Sequence, residues 1–141
     1  MSEQRLGVLG GMGPQATQVF YQFVLDRTDA ARDQDHLPAL ILSDTGIPDR
    51  TAAILSGDTE RLYRRLLKDA RLLEGCGCTA LAIPCNTSHY FADRLQGEIG
   101  VPIIHMLRET ARELARQGKP LLAADRYSPT TRTCSACGQI Q

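Results

Sequence analysis

Ala80-Leu81-Ala82-Ile83-Pro84-Cys85-Asn86-Thr87-Ser88-His89 joins a continuous apolar run to a polar turn that opens on a cysteine. An unbroken apolar run of this length reads as a strand covered on both faces, as strands of a parallel sheet are. In open α/β sheets ligands gather outside the carboxyl ends of such strands. The stretch therefore predicts a central strand and the edge at which chemistry would sit. A thiol beside an amide, two hydroxyls and an imidazole has the parts for acid/base or nucleophilic work.

Working outward, strand and helix signals alternate. Leu6 to Leu9 is a short apolar run closed by Gly10-Gly11-Met12-Gly13, and Pro14 suits the first turn of a following helix. Ala16, Val19, Phe20, Phe23 and Val24 recur at helical spacing. Leu37 to Leu42 reads as a second buried strand, followed by a long loop from Ser43 to Arg50. Leu62, Leu66, Ala70 and Leu73 share one helical face that stops at Gly75. Thr79 to Ile83 is the strand of the opening stretch, followed by a helix through Phe91 and Leu95. Val101 to Ile104 is a fourth strand, and Met106 to Gln117 is amphipathic through Leu107, Ala111 and Leu114. This alternation predicts an α/β lobe of three layers, αβα, around a four-stranded parallel sheet, with these apolar residues forming its core.

The 141 residues suffice for one domain with a core. A formal net charge of +0 gives no basic surface for nucleic acid as the main partner. The 43% apolar and 23% charged fractions suit a globular chain, and no apolar run reaches the roughly 20 residues of a membrane span. Met1-Ser2-Glu3-Gln4-Arg5 lacks the apolar segment of a signal peptide, so a cytoplasmic location is expected. Five cysteines at irregular spacing suit core, catalytic or metal-binding thiols better than a disulfide framework.

Four constellations carry chemistry. Gly11-x-Gly13-x-x-Ala16 meets the dinucleotide fingerprint, with Asp44 placed to be its ribose acid. More generally, glycines before a helix N-terminus let an anion approach unpaired N–H groups, and a carboxylate fits there as well as a phosphate. The bland reading is a tight strand–helix turn. Arg50, within Ile47-Pro48-Asp49-Arg50-Thr51, could clamp a carboxylate, or could pair with Asp49 on the surface. Cys85 could be a nucleophile, a metal ligand or a proton carrier, and a helix N-terminus there would stabilise its thiolate. Asn86, Thr87 and Ser88 would supply donors around it, whereas Thr87 and Ser88 could instead be N-caps. His89 reads as a base partner or a structural helix-face histidine. Cys76 and Cys78 read as small buried hydrophobes, since a lone C-x-C is too short a signal for a zinc site. Cys134-x-x-Cys137 is half of a zinc-ribbon pattern without its second pair, so no bound metal is expected.

Taken together, Gly10-Gly11-Met12-Gly13-Pro14, Ile47-Pro48-Asp49-Arg50-Thr51, Pro84-Cys85-Asn86-Thr87-Ser88-His89 and Val101-Pro102-Ile103-Ile104-His105-Met106 resemble the aspartate/glutamate racemase family. The resemblance covers about residues 5 to 119. It implies one half of a two-lobed protein that racemises an acidic amino acid without pyridoxal phosphate or another cofactor. Each lobe supplies one proton carrier, and Cys85 sits at the first lobe's catalytic position. Met12, Arg50, Thr51, Asn86, Thr87 and Ser88 sit where the family contacts its substrate. Family members are often dimers, and a homodimer would cover an apolar face.

The match has a limit. The family's second lobe carries its own cysteine in a Gly-Cys-Thr type motif, and no such motif follows the matching segments here; Gly77-Cys78-Thr79 lies ahead of Cys85, within the first-lobe match. Residues 120–141, from Asp125 to Gly138 above all, resemble instead the start of the zinc ribbon of OrfB-type transposase-associated nucleases. The expected organisation is a racemase-like first lobe over residues 1–119 with an unrelated tail over 120–141. A lone half-site is expected to have impaired racemisation. The rival reading is a non-catalytic fragment, or a nucleotide- or anion-binding α/β module.

Overall fold

A computed structural model describes residues 3–119. Four strands form one parallel sheet: β1 (Leu6–Gly10), β2 (Ala39–Ser43), β3 (Ala80–Ala82) and β4 (Ile103–Ile104), in the order β2-β1-β3-β4. β1 aligns Leu6 with Ala39 on one side and with Ala80 on the other, and Leu81 of β3 aligns with Ile103. The helices are α1 (Pro14–Asp26), α2 (Arg50–Ser56), α3 (Glu60–Gly75), α4 (Ala92–Gln96) and α5 (Met106–Arg116). The α/β class and the four-stranded parallel sheet are those expected.

Alternation along β1 divides the core between two faces, because successive side chains of a strand point oppositely. Leu6 and Val8 pack with Ala82 and are backed by Phe20 and Val24 of α1. Leu9 points to the other face, into a cluster with Leu62, Leu66 and Leu73 of α3 and with Phe91 and Leu95 beyond β3. Each fully buried leucine of that cluster contributes on the order of 2–3 kcal/mol. Gly7 keeps the sheet thin, since a Cβ there would lie 2.5 Å from Leu81 Cδ2 and 3.0 Å from Cys78 Sγ.

Several expectations need correction. β2 is an edge strand, with Leu40 and Ile41 exposed, because only β1 flanks it. Val19 and Phe23 of α1 are each about half exposed and do not join the core. Cys78 is buried, and burial pushes its thiol pKa up, but Cys76 lies past the end of α3 and is exposed. Arg50 ends no loop: it is the first residue of α2, which Asp49 caps by accepting from Ala52 N–H at 2.7 Å. Gly57, in the left-handed region at φ 80°, closes that helix. The turn after Cys85 is a 3-10 segment over Thr87–Phe91, continued by α4, and not one α-helix.

The chain divides into two compact units, Met1–Glu109 and Thr110–Gln141. The first holds all four strands. The described part of the second is the rest of α5, where Glu113 accepts hydrogen bonds from Arg116 and Gln117, and the turn at Gly118. Residues 120–141, with Cys134 and Cys137, lie outside the described residues.

Candidate active site

The strand order creates a switch point. From β1 the chain leaves through α1 to β2 on one side, whereas from β3 it leaves through α4 to β4 on the other. The carboxyl ends of β1 and β3 are therefore neighbours whose loops diverge, which opens a crevice between them. The glycine turn and the Cys85 turn are those two loops.

The glycine turn is built by close approach. Gly11 has φ 93°, and a Cβ there would lie 2.4 Å from the backbone N and C of Asp44. Asp44 N–H donates to Gly10 O at 3.1 Å, so the turn is fastened to the end of β2. Buried Thr17 organises the turn from α1: its Oγ1 accepts from Gly11 N–H at 2.9 Å and donates to Gly13 O at 3.1 Å. Gly13 then serves as N-cap with Pro14 behind it.

In the second loop, Cys85 N–H donates to Ile83 O at 2.8 Å, which turns the chain off β3 and leaves the Cys85 side chain partly exposed. Neither Thr87 nor Ser88 caps a helix; Asn86 occupies that position without a side-chain bond. Ser88 is fully buried and its hydroxyl donates to Met12 Sδ at 3.2 Å, which stitches this loop to the glycine turn. His89 is a clamp. Its Nδ1 lies 2.8 Å from Cys85 O and its Nε2 accepts from Met106 N–H at 3.1 Å. Together these bonds assign the neutral tautomer with the proton on Nδ1. Burial pushes the imidazole pKa down, against the opposing pull of the Cys85 carbonyl. Both ring nitrogens are thus committed to backbone, which removes His89 as a base partner for the thiol.

Arg50 enters from α2. Its guanidinium donates from one Nη to Pro48 O at 3.2 Å, and its Nε is buried without a hydrogen-bond partner. The surface pairing with Asp49 does not form, because the Asp49 carboxylate caps α2. A buried, unpaired guanidinium N–H is costly unless an acceptor arrives.

These groups share one open depression of about 490 Å³, to which Met12, Arg50, Cys85, Asn86, Thr87 and Met106 contribute, with α1 supplying an apolar wall. Among the described residues lining it, Arg50 is the one permanent charge and none is acidic. The depression therefore suits an anion with an apolar or compact body. Of the residues singled out in the sequence, Cys85, Met12, Arg50, Asn86 and Thr87 meet there. Ser88 lies beneath the floor, and Thr51 is exposed on α2 outside the lining. Met106 was not singled out as a site residue, although it closes the fourth matching motif.

Asp44 is not open to a ribose. Arg65 binds its carboxylate with both Nε and an Nη, and Gly46 N–H donates to it at 2.8 Å. The Arg65 contact holds the Asp44 carboxyl far below the usual range. Asp69, buried behind it, is pushed up to about 6 by burial and by the adjacent Asp44 carboxylate.

A partly exposed thiol and an arginine whose Nε lacks a partner thus line one depression at the switch point of a parallel α/β sheet. The chain belongs to the Asp/Glu/Hydantoin racemase family, which residues 9–123 match. It is 30% identical over 118 residues to the broad specificity amino-acid racemase RacX of Bacillus subtilis (strain 168), covering 81% of this chain and 51% of that protein. Among solved structures it resembles the aspartate racemase of Picrophilus torridus, with TM-score 0.74 and 30% identity over 82% of this chain and 48% of the other. An aspartate racemase homologue from Pyrococcus horikoshii OT3 shares the fold, with TM-score 0.69 and 22% identity over 82% and 50%. The chain thus spans about half the length of the relatives it matches. No helix among the described residues is long and apolar enough to cross a membrane.

Proposed function

We propose that this chain is the first lobe of a cofactor-independent racemase for an acidic amino acid, with Cys85 as one of two proton carriers. The observation that carries this reading is the shared depression: Cys85 and Arg50 line one cavity with no carboxylate among its lining residues, and the buried Arg50 Nε has no hydrogen-bond partner. Arg50 would receive a substrate carboxylate. Exposed Asn86 and Thr87 would orient it, and Met12 and the α1 wall would keep water from the reacting carbon. Ser88 acts from below, by holding Met12. Thr51 would act only through its place next to Arg50 at the start of α2.

The α-proton of an amino acid is very weakly acidic, so base and charge stabilisation must be placed together. The Cys85 thiolate takes the α-proton and becomes a thiol. The electron pair left on Cα delocalises into the α-carboxylate, whose growing charge a guanidinium hydrogen bond stabilises. Inversion then needs a proton delivered to the opposite face of Cα. Among the described residues Cys76 and Cys78 lie outside the depression, and we assign the second carrier to the half of the relatives that this chain does not span, or to another subunit. By itself the chain would exchange one face and racemise poorly.

The test is Cα deuterium uptake from heavy water into each aspartate enantiomer, followed by mass spectrometry. One enantiomer should exchange, and Cys85→Ser should lower that rate about 100-fold or more, as loss of a positioned general base does. Unchanged uptake in Cys85→Ser would sink the assignment. Glutamate run in parallel decides the substrate.

A further inference from the structure

We propose that a second depression, between α3 and the loop joining β2 to α2, binds a small, multiply charged phosphoryl anion. Arg61, Arg64, Arg65 and Lys68 stand at i, i+3, i+4 and i+7 of α3 and so share one helical face. With Gly46 and Pro48 they line a depression of about 260 Å³. Like charges at this spacing destabilise an isolated helix. Helix stability therefore does not account for the cluster.

The pairing pattern points the same way. Cations just outside the depression are spent: Arg71 on Glu98 at 2.8 Å, Arg94 on Glu60 at 2.7 Å. Glu60 feels the charge of Arg64, yet its hydrogen bond goes to Arg94. Among the described residues, Arg61, Arg64 and Lys68 have neither an ion pair nor a side-chain hydrogen bond. Arg65 alone is held, by Asp44, which fixes its guanidinium at the wall. Gly46 keeps the mouth open, since a Cβ there would lie 2.9 Å from an Arg65 Nη.

Three unpaired cations and a fixed fourth exceed what one carboxylate would neutralise, and guanidinium forks match phosphoryl oxygens. The cluster runs only about 10 Å along the helix, from seven residues at about 1.5 Å each. No aromatic residue lines it to stack a base. Both features favour a small phosphoryl anion over a nucleic acid. The site stands next to the candidate active site without using it: Pro48 lines this depression, and its carbonyl holds Arg50, which lines the other.

Inorganic pyrophosphate titrated calorimetrically into the full chain is the probe. We expect saturable one-to-one binding. Arg64→Ala and Lys68→Ala should each weaken it about tenfold, the loss of one charge-assisted contact. Arg71→Ala, on the same helix but outside the depression, and Arg50→Met should leave it unchanged. Succinate should bind at least about tenfold more weakly, on the same reasoning of charge and fork geometry. All these side chains are exposed or half-buried, and thermal melting of each variant verifies that it is folded. The proposal is overturned by absent saturation, by equal weakening in Arg71→Ala, or by loss of binding in Arg50→Met. Tighter binding of a single-stranded oligonucleotide than of pyrophosphate would overturn it as well.

Discussion

The substitution His89→Phe tests the clamp beneath the proposed catalytic loop. It keeps a planar ring beside His105, whose centroid is 4.7 Å away, but removes both ring nitrogens. Two hydrogen bonds disappear, to Cys85 O at 2.8 Å and from Met106 N–H at 3.1 Å. The site is 6% exposed, so water replaces them poorly. At about 1–1.5 kcal/mol for each bond, with part of the desolvation penalty of the carbonyl left behind, the loss should be about 2–4 kcal/mol. That is a large share of the roughly 5–15 kcal/mol that holds such domains folded. Urea denaturation at about pH 7.5 should show the midpoint falling by about 1–2 M at an unchanged slope.

Acidity adds a sign. Burial lowers the folded-state pKa of His89 below 6.5, because the imidazolium is poorly solvated and its Nε2 would turn a donor towards the Met106 N–H. The unfolded chain therefore binds the proton more readily. The contribution of His89 is complete above about pH 6.5, its unfolded value, and is lost as pH falls through the folded value. The His89→Phe variant has no such titration, so the stability gap between native chain and variant should narrow from about pH 7.5 to about pH 5. A gap under about 0.5 kcal/mol at about pH 7.5, the range of neutral surface changes, would refute the clamp. A gap that widens in acid would refute the tautomer.

Gly11→Ala should destabilise by about 3 kcal/mol or more, since φ 93° is strained for alanine and the new Cβ meets Asp44 backbone that cannot rotate away; thermal melting reads it, and a change under about 1 kcal/mol would contradict the turn geometry. Thr17→Val should cost about 1–2 kcal/mol by removing the Gly11 and Gly13 bonds while keeping the shape, again read by thermal melting. Asp69→Asn should stabilise the fold at about pH 7.5, on the order of 1–2 kcal/mol. The folded carboxyl of Asp69 titrates at about 6 against 3.8, so its ionisation opposes folding as pH rises between those values; the advantage of the amide should vanish below about pH 4. An advantage that persists at about pH 3.5 would argue against buried charge as the cause.

Much of the architecture was legible because its signals are local. The apolar run ending at Pro84, the glycine turn before Pro14 and the face of Leu62, Leu66, Ala70 and Leu73 each follow from chain geometry over a few residues. What local pattern could not give was lateral position. β2 has the composition of a buried strand and sits at an edge, since strand order depends on which crossover passes where. Val19 and Phe23 have the spacing of core residues but stay half exposed, because they line the depression beside Cys85 and do not pack under the sheet. α2 had a signal, Asp49 before Arg-Thr-Ala-Ala-Ile-Leu, obscured by the proline just upstream.

The site divides the same way. By itself the sequence determined the residue types and the loops that carry them: Cys85 after β3, Met12 after β1, Arg50 after β2. Parallel strands place those loops at one edge of the sheet whatever the details. Only the tertiary structure decided what each side chain does there. Hydrogen bonds between segments far apart in sequence commit His89 to two backbone groups, Ser88 to Met12 and Asp44 to Arg65, while Arg50 Nε finds no partner. Residue identity sets what a group can donate or accept; only packing determines which partners lie within reach.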